Sequence, residues 1–373
     1  MSRTILLNPG PVTLSEGVRA AAVSADLCHR EPEFYEAQQA VIEGLLDVYG
    51  CDRDAWRAVT LGGSGTAAME AMLASLRPAD ARVLVLENGV YGERLGRILE
   101  IHGIESESTR RPWGAALDLD DVGARLATGA FSHLAVVHHE TTTGRLNPLD
   151  KLLDLCARHG VKLMLDAVSS FGAERIPVDH PALEACAATA NKCLHGIPGL
   201  AFVLCRTHAL EAGAPQRSLY LHLPDWAAKQ AAGSTPYTPP VNACLALQQA
   251  LTELAAQGGW RGRRTRYHEL AERLCGSLAG LGIVPWLAPE ESSCVLRSYR
   301  LPAGFDYGRV HAGLKRRGFI IYEGQGGLAA EMFRVSTMGD IGDDDLARLE
   351  AAFAEVFAAD AGETISERSS TCA

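Results

Sequence analysis

Short runs of apolar residues alternate with amphipathic segments along the N-terminal part of the chain. Turn-forming residues follow the apolar runs at 56–61, 81–87, 132–140, 161–172 and 199–205. Segments with the spacing of amphipathic helices come after the first three runs. This alternation predicts an α/β fold whose central sheet is mostly parallel and flanked by helices on both faces. Because ligands of such sheets bind at the carboxyl ends of the strands, we expect the functional residues in the loops after these runs.

The C-terminal part of the chain has a different pattern. Residues 239–282 are typical of two long helices with a break near Gly258-Gly259, and a strand-like run (317–324) and a closing helix (343–359) follow. This pattern predicts a second, smaller α+β domain, and the polar residues after it have the composition of a disordered tail. The expected units are a large domain over 1–265 that includes an N-terminal arm over about 1–20, a small domain over 266–360, and a disordered tail over 361–373.

The composition limits the partners and the location that we expect. The chain has 373 residues, of which 47% are hydrophobic and 21% charged, and its formal net charge is −10. This negative charge argues against binding to nucleic acid or to anionic membranes. The ten cysteines form no CxxC pair, and no segment reaches the roughly 18 apolar residues of a membrane span. We therefore expect a cytoplasmic protein with reduced thiols.

Two residues at predicted strand ends indicate a cofactor. Asp166 ends the apolar run 161–166, and Lys192 follows the strand-like stretch 185–191. Taken separately, they are explained by a helix-capping acid and a surface lysine. Together, on loops that face one crevice, they provide what pyridoxal 5′-phosphate (PLP) requires of a protein. A desolvated lysine amine attacks carbonyl groups, and an acid holds a protonated pyridine nitrogen.

The turn GGSGT (62–66) lies between a predicted strand and a predicted helix. Its free N–H groups, with the hydroxyls of Ser64 and Thr66, predict a cradle for a phosphate at a helix N-terminus. The turn fits neither the dinucleotide fingerprint GxGxxG nor the P-loop. Tyr91, after the next predicted strand, is as compatible with stacking on a cofactor ring as with a place in the core.

Several histidines and one arginine allow more than one interpretation. His29, His138 and His139 lack carboxylate or cysteine neighbours at metal-binding spacing, so we expect polar core roles and no metal site. Arg30 is explained equally well by a salt bridge with a neighbouring glutamate and by binding of an anionic substrate.

Motifs along nearly the whole chain resemble those of the class V aminotransferases, which belong to the fold-type I superfamily of PLP enzymes. These motifs are LLNPGPVT (6–13), LCHREPEF (27–34), LGGSGTAAMEA (61–71), ENGVYGER (87–94), HHETTTGRLNP (138–148), LDAVSSFG (165–172), ANKCLHGIPGLAFVL (190–204), YTPPV (237–241) and FRVSTMGDIG (333–342). Within the family, the chain is most similar to the members that act on 2-aminoethylphosphonate and pyruvate.

The resemblance implies roles for individual residues around PLP. Lys192 is expected to carry the cofactor covalently and Asp166 to bind its pyridine nitrogen. The other expected cofactor contacts are Ser64, Gly65 and Thr66 at the phosphate, Asn191 beside it, Tyr91 and Val168 on the two ring faces, and Thr141 near the ring hydroxyl. Thr238 is expected to reach the phosphate in a neighbouring subunit, which implies a homodimer with shared active sites.

The substrate site is expected around Arg334. A guanidinium pairs with either a carboxylate or a phosphonate, so one arginine suits both an oxo acid and an aminophosphonate. Arg30 and the loop that contains Pro9 and Gly10 are expected to assist.

The reaction that we expect is 2-aminoethylphosphonate + pyruvate ⇌ phosphonoacetaldehyde + L-alanine. Alanine–glyoxylate or serine–glyoxylate transamination is the first alternative, because CHREPEF is also typical of those enzymes. A cysteine desulfurase would need a mobile catalytic cysteine in the small domain, and neither Cys294 nor Cys372 is flanked like one. A non-catalytic protein of this fold would be free to lose Lys192, Asp166 and Arg334.

Overall fold

The computed structural model describes residues 3–370, with side-chain surroundings described up to residue 358. The helices are α1 (Glu16–Ala21), α2 (Pro32–Asp47), α3 (Gly65–Ser75), α4 (Val90–Ile101), α5 (Leu119–Leu126), α6 (Leu149–Arg158), α7 (Leu223–Ala231), α8 (Val241–Ala256), α9 (Gly259–Ala279), α10 (Tyr307–Arg316) and α11 (Asp343–Ser370). The strands are β1 (Ile5–Leu6), β2 (Trp56–Gly63), β3 (Val83–Glu87), β4 (Ser106–Arg110), β5 (His133–Val137), β6 (His139–Glu140), β7 (Arg145–Leu146), β8 (Lys162–Asp166), β9 (Leu183–Thr189), β10 (Gly199–Arg206), β11 (Leu296–Arg300), β12 (Phe319–Ile320), β13 (Tyr322–Glu323) and β14 (Met332–Ser336). None of the described helices is long and apolar enough to cross a membrane.

A seven-stranded sheet with the order β2-β10-β9-β8-β5-β3-β4 forms the centre of the large domain. Strand β10 runs antiparallel to both of its neighbours, and the other adjacent pairs are parallel. Since β2 and β9 are both antiparallel to β10, they point in the same direction. The predicted α/β fold with a mostly parallel sheet is therefore confirmed, and the carboxyl ends of β2, β9, β8, β5 and β3 lie along one edge.

Helices cover both faces of this sheet because successive strand residues point to opposite sides. Leu84 and Leu86 pack into a cluster with α2, α5, α6 and α8. Val83 and Val85 pack into a second cluster with α3, α4 and α7. The inner strands β3, β5 and β9 are buried on both faces, which explains why their sequences are largely continuous apolar runs and not alternating patterns.

The predicted break between two long helices is present between α8 and α9. Gly258 and Gly259 adopt φ values of 87° and 66°, in the left-handed region that glycine enters without a steric penalty. Helix α9 runs through residue 265, the predicted domain boundary. From Leu270 onward its buried residues join the core of the small domain, where β11, β14 and β13 form an antiparallel sheet.

The first part of the N-terminal arm packs with the small domain, whereas the sequence analysis assigned the whole arm to the large domain. Strand β1 pairs in parallel with β12, with Ile5 opposite Phe319. Ile5 and Leu7 are buried in the apolar cluster of the small domain. The apolar start of the arm is covered there, and the chain then passes to the large domain.

The chain remains helical over most of the segment for which the sequence predicts disorder. Helix α11 continues to Ser370, and residues 371–373, including Cys372, lie outside the described residues. Leu346, Phe353 and Phe357 anchor the earlier turns of α11 in the small-domain core. Once a helix is nucleated in this way, each further residue adds a hydrogen bond at a small entropic cost.

A buried carboxylate joins the two domains. Glu174, in the large domain, accepts hydrogen bonds from Ser293 Oγ at 2.6 Å, from the Cys294 N–H at 3.3 Å and from Arg264 Nε at 3.2 Å. Burial by itself would raise the pKa of Glu174. The hydrogen bond from Ser293 and the charge of Arg264 outweigh this effect, so the pKa lies below the usual value for a glutamate. The ionised carboxylate is thus the stable form at this junction.

We expect Glu174→Ala to lower the free energy of unfolding by about 3 kcal/mol, because buried donors lose their acceptor. Denaturant unfolding followed by circular dichroism measures the change. Glu100→Ala is the control, since Glu100 is exposed and pairs only with Arg97 in the described structure; the expected change is below about 0.5 kcal/mol. Equal unfolding free energies for wild type and Glu174→Ala would contradict the role of this carboxylate.

The same junction gives a pH dependence with a defined sign. A carboxylate whose folded-state pKa is depressed contributes stability that is fully present above its unfolded-state pKa, about 4.3 for Glu. That contribution is lost as the pH falls through the lower folded-state pKa of Glu174. The difference in unfolding free energy between wild type and Glu174→Gln should therefore shrink below about pH 4.3.

Candidate active site

Lys192 lies in the turn that follows β9, against the N-terminal arm. Its Nζ donates a hydrogen bond to the carbonyl of Pro9. A Cβ at Gly10, whose φ is 112°, would lie 2.7 Å from the Lys192 side chain, so only glycine fits. Burial lowers the pKa of Lys192 to about 8, although nearby Asp166 and Cys193 oppose this shift. About one-tenth of the amine is therefore neutral and nucleophilic at pH 7, far more than for an ordinary lysine.

Asp166 ends β8, beside β9 in the sheet, and its carboxylate is buried. Its Oδ1 accepts a hydrogen bond from the Val168 N–H at 2.9 Å. Burial raises the pKa of Asp166 to about 7, and the neighbouring charge of Glu140 adds to this effect. The positive charge of Lys192 acts in the opposite direction, so the two groups share one electrostatic environment.

Helix α3 begins at the same edge of the sheet, directly after β2. Its N-cap residue, Ser64, makes no capping hydrogen bond through its side chain, so the hydroxyl and the first N–H groups are available to an anion. Gly65 lies against Val168, and a Cβ there would be 2.7 Å from the valine side chain. The close approach requires glycine and joins the turn after β2 to the loop after Asp166.

Tyr91 lies in the first turn of α4, and with Val168 it borders the apolar cluster on one face of the sheet. Sequence reasoning missed its neighbour Arg94. The Arg94 guanidinium lies over the Tyr91 ring with Cζ 4.6 Å from the centroid, and its Nη1 donates to Thr66 Oγ1 at 3.1 Å. The spacing of Tyr91 and Arg94 on one helix face gives a signal for their contact, but the contact with Thr66 needs the tertiary structure.

Arg334, on β14 of the small domain, reaches the large domain. Its Nη1 donates to the Thr141 carbonyl and its Nε to the Glu323 carbonyl, both at 2.9 Å. Burial lowers the pKa of Arg334. Within the described residues it forms no ion pair with a carboxylate, so its charge is available to an anionic ligand at the boundary of the domains.

Glu140, which sequence reasoning also missed, fixes the loop that bears Thr141. It is fully buried, and its carboxylate accepts hydrogen bonds from the Gly92 N–H at 3.1 Å and from Thr142 Oγ1 at 2.6 Å. Burial raises the pKa of Glu140. The carboxylate connects the start of α4, which carries Tyr91, to the strand that precedes Thr141.

A family model for class V aminotransferases matches residues 110–325. The chain is 34% identical to the 2-aminoethylphosphonate–pyruvate transaminase of Phocaeicola vulgatus over 94% of its own length and 98% of that protein. The chain belongs to the class V aminotransferases. It is also 35% identical to the enzyme of the same name from Pseudomonas aeruginosa, over 94% of this chain and 95% of the other. The family prediction made from the sequence motifs is confirmed.

The fold of this aminotransferase is also found in solved structures. The alanine–glyoxylate aminotransferase of Nostoc sp. superimposes with a TM-score of 0.87 at 27% identity, and the match covers 95% of this chain and 96% of the other. Cys294, which a desulfurase would need as a mobile nucleophile, is buried in this structure, and its Sγ lies 3.5 Å from Glu174 Oε1. Burial raises the pKa of its thiol, which opposes thiolate formation.

Thr238, Arg30 and Asn191 are among the predicted site residues that have no described contact with Lys192 or Asp166. Thr238 is exposed, and the exposed Arg30 donates a hydrogen bond to the Thr235 carbonyl at 3.0 Å. The glutamate salt bridge considered for Arg30 does not form within the described residues. Asn191 adjoins Lys192 in the chain, and its Oδ1 accepts a hydrogen bond from Thr189 at 2.8 Å. Arg30 and Thr238 thus lie at the same surface segment.

The histidines near the site are neutral members of the core. His138 Nδ1 contacts Ser170 Oγ at 3.0 Å, and His139 Nδ1 contacts the Ser169 carbonyl at 3.0 Å. Burial lowers the pKa of each to about 4. No cluster of three His, Cys, Asp or Glu side chains suited to a metal ion occurs in the described part of the chain.

His195, which the sequence analysis did not single out, connects the lysine turn to the rest of the molecule. Its φ is 67°, a left-handed conformation that is unfavourable for residues other than glycine. Its Nε2 accepts a hydrogen bond from the Gly339 N–H at 2.9 Å and contacts the Tyr267 hydroxyl at 2.5 Å. The turn after Lys192 is therefore held by both α9 and a loop of the small domain.

Proposed function

We propose that this aminotransferase binds PLP and transfers the amino group from 2-aminoethylphosphonate to pyruvate, giving phosphonoacetaldehyde and L-alanine. The observation that carries the reaction type is the joint placement of the Lys192 amine, the buried Asp166 carboxylate and the N-terminus of α3 at one edge of the sheet. The choice of substrates is supported by relatives of that name at 34–35% identity over 94% of the chain.

The donor set at this edge fits PLP. The Lys192 amine suits the aldehyde, Asp166 suits a protonated pyridine nitrogen, and the free N–H groups with Ser64 and Thr66 suit a phosphate. Two glycines, Gly10 and Gly65, leave room that a Cβ would fill. When bound, PLP supplies an electron sink for the carbanion that forms as the donor loses a proton from the carbon bearing its amine.

The residues of this chain then have separable tasks. Lys192, once free, removes and returns the proton, and its lowered pKa suits this exchange near neutral pH. Asp166 supplies the negative charge that keeps the ring nitrogen protonated. Tyr91 and Val168 would pack against the ring, and Thr141 would lie near its hydroxyl group. Arg334 pairs with the phosphonate of the donor and then with the carboxylate of pyruvate.

A donor screen tests the proposed substrates. The purified protein is loaded with PLP, and the cofactor absorbance is followed during single turnovers with 2-aminoethylphosphonate, L-alanine or L-serine. We expect 2-aminoethylphosphonate and L-alanine to convert the cofactor to its amino form, and pyruvate to restore it. Alanine–glyoxylate or serine–glyoxylate transamination is the alternative. Of these two reactions, similarity to the Nostoc enzyme favours alanine–glyoxylate transamination. Conversion by L-alanine or L-serine with glyoxylate as acceptor, and none by 2-aminoethylphosphonate, would establish that alternative.

Replacement of Arg334 should weaken the binding of both substrates. We expect Arg334→Gln to raise KM by about 10- to 100-fold for the aminophosphonate donor and for pyruvate alike, because a charged, buried hydrogen-bonding partner is lost. Steady-state kinetics measures both values. Arg316→Gln, at an exposed position of α10, provides a control that should leave both KM values unchanged. A rise for only one substrate would contradict a shared anion site.

We further propose a cytoplasmic homodimer in which Thr238 and Arg30 complete the partner's site. Both residues are exposed in the single chain, and Leu219 and Tyr220 expose apolar surface. All nine cysteines of the described residues are free thiols, which suits a reducing compartment. Light scattering tests the dimer, and a fully active monomer would contradict it.

A further inference from the structure

Arg94 is a cation at the candidate site without a carboxylate partner. Within the part of the chain that the structure describes, it forms no ion pair, whereas Arg97 on the same helix pairs with Glu100. Its two described contacts are the ring of Tyr91, 4.6 Å from Cζ, and Thr66 Oγ1, 3.1 Å from Nη1. Arg94 is only half-buried, and it spans the gap between α4 and the first turn of α3.

The contact with Thr66 has a defined direction. A guanidinium has only donors, so the Thr66 oxygen must accept this hydrogen bond. A hydroxyl carries one proton, and that proton remains free to be donated to a different acceptor. Thr66 lies in the first turn of α3, where free N–H groups favour an anion. An anion bound there is the acceptor that the orientation of the hydroxyl suits.

We propose that Arg94 is a positioning residue for the cofactor phosphate, acting through the hydroxyl of Thr66. The inference rests on the proposed function, since it takes the phosphate of PLP as the anion at α3. By donating to Thr66, Arg94 directs the hydroxyl proton toward the phosphate and polarises it. Because the same side chain also stacks on Tyr91, the bond to Thr66 links the start of α4 to the first turn of α3. The charge of Arg94 also reaches Asp166 and Lys192, which places it within the electrostatic environment of the site.

This role predicts an effect that depends on the phosphate. We compare the dissociation constants of PLP and of pyridoxal, which lacks the phosphate, for the cofactor-free protein by absorbance titration. Arg94→Gln should weaken PLP binding by about tenfold or more, as expected for loss of a charged hydrogen-bond donor, and pyridoxal binding by less than about twofold. Arg94→Lys keeps the charge and should recover part of the loss. Arg97→Gln, an exposed neighbour on α4, should change neither constant.

A double-mutant cycle distinguishes action of Arg94 through Thr66 from a direct effect of Arg94 on the phosphate. If Arg94 acts through the hydroxyl, the losses of Arg94→Gln and Thr66→Val in PLP affinity are not additive. Because the PLP and pyridoxal constants come from the same protein, a reduced folded fraction changes both equally and leaves their ratio intact.

The opposing outcomes are distinct. An unchanged ratio of the two constants in Arg94→Gln would overturn the inference and leave the proposed function standing. Additive losses would overturn the action through Thr66. Failure of the wild-type protein to bind PLP at all would overturn the proposed function itself, and this inference with it.

Discussion

Lys192→Ala is expected to abolish measurable amino transfer, with kcat falling by about 10³-fold or more, because the substitution removes the group proposed to move the proton. The variant should still bind PLP, since Asp166 and the N-terminus of α3 remain. Single-turnover absorbance with 2-aminoethylphosphonate measures the rate, and equilibrium dialysis measures the bound cofactor. Lys162→Ala is the matched control, because Lys162 donates to the Pro181 carbonyl, away from the site.

The lowered pKa of Lys192 adds a pH dependence to this prediction. A lysine is nucleophilic when neutral, and the fraction of neutral amine rises as the pH increases through the pKa, about 8 here. The rate at which the cofactor-free wild-type protein reacts with PLP should therefore rise to a plateau above about pH 8. If Lys192→Ala kept its transaminase activity, the assignment of Lys192 as the group that moves the proton would be wrong.

Asp166→Asn is expected to have the second-largest effect. The amide oxygen can still accept the hydrogen bond from the Val168 N–H, so the local fold should persist. The negative charge proposed to face the ring nitrogen is lost, however, and electrostatic stabilisation of this kind contributes about 10²- to 10³-fold to kcat. We expect a fall of that size, measured under saturating substrates, with little change in the free energy of unfolding.

The control for this substitution is Asp179→Asn, at an exposed position. If Asp166→Asn and Asp179→Asn have the same kcat, the carboxylate has no role at the ring nitrogen. If Asp166→Asn unfolds the protein, the negative charge of Asp166 is needed for the fold, because the variant keeps the hydrogen bond from the Val168 N–H.

Residues next to strand ends were accessible to sequence reasoning. Asp166 and Lys192 could be assigned to one crevice because apolar runs precede both and parallel strands end at the same edge. The turn before α3 was recognised for the same reason. Arg94 and Glu140 were missed, because their partners Thr66 and Gly92 lie on other elements and only the packing of α3, α4 and the sheet brings them together.

The N-terminal arm and the C-terminal tail show a second limit of sequence reasoning. The apolar residues Ile5 and Leu7 predict burial but not the partner that covers them, and the structure places them with the small domain. The composition of 361–373 predicts disorder, yet α11 extends to Ser370 from turns that the small-domain core anchors. Local composition does not report such anchoring, since it arises from contacts made elsewhere.

The α/β fold, the family and the residue types of the candidate site can be inferred from the sequence alone, because continuous apolar strands and their following turns are local features. How those residues interact depends on the tertiary structure. It lowers the pKa of Lys192 and raises that of Asp166 through burial, brings Arg334 from the small domain to Thr141, and directs Arg94 to Thr66. Desolvation and contacts between distant segments depend on the packed protein, and no stretch of the sequence encodes them locally.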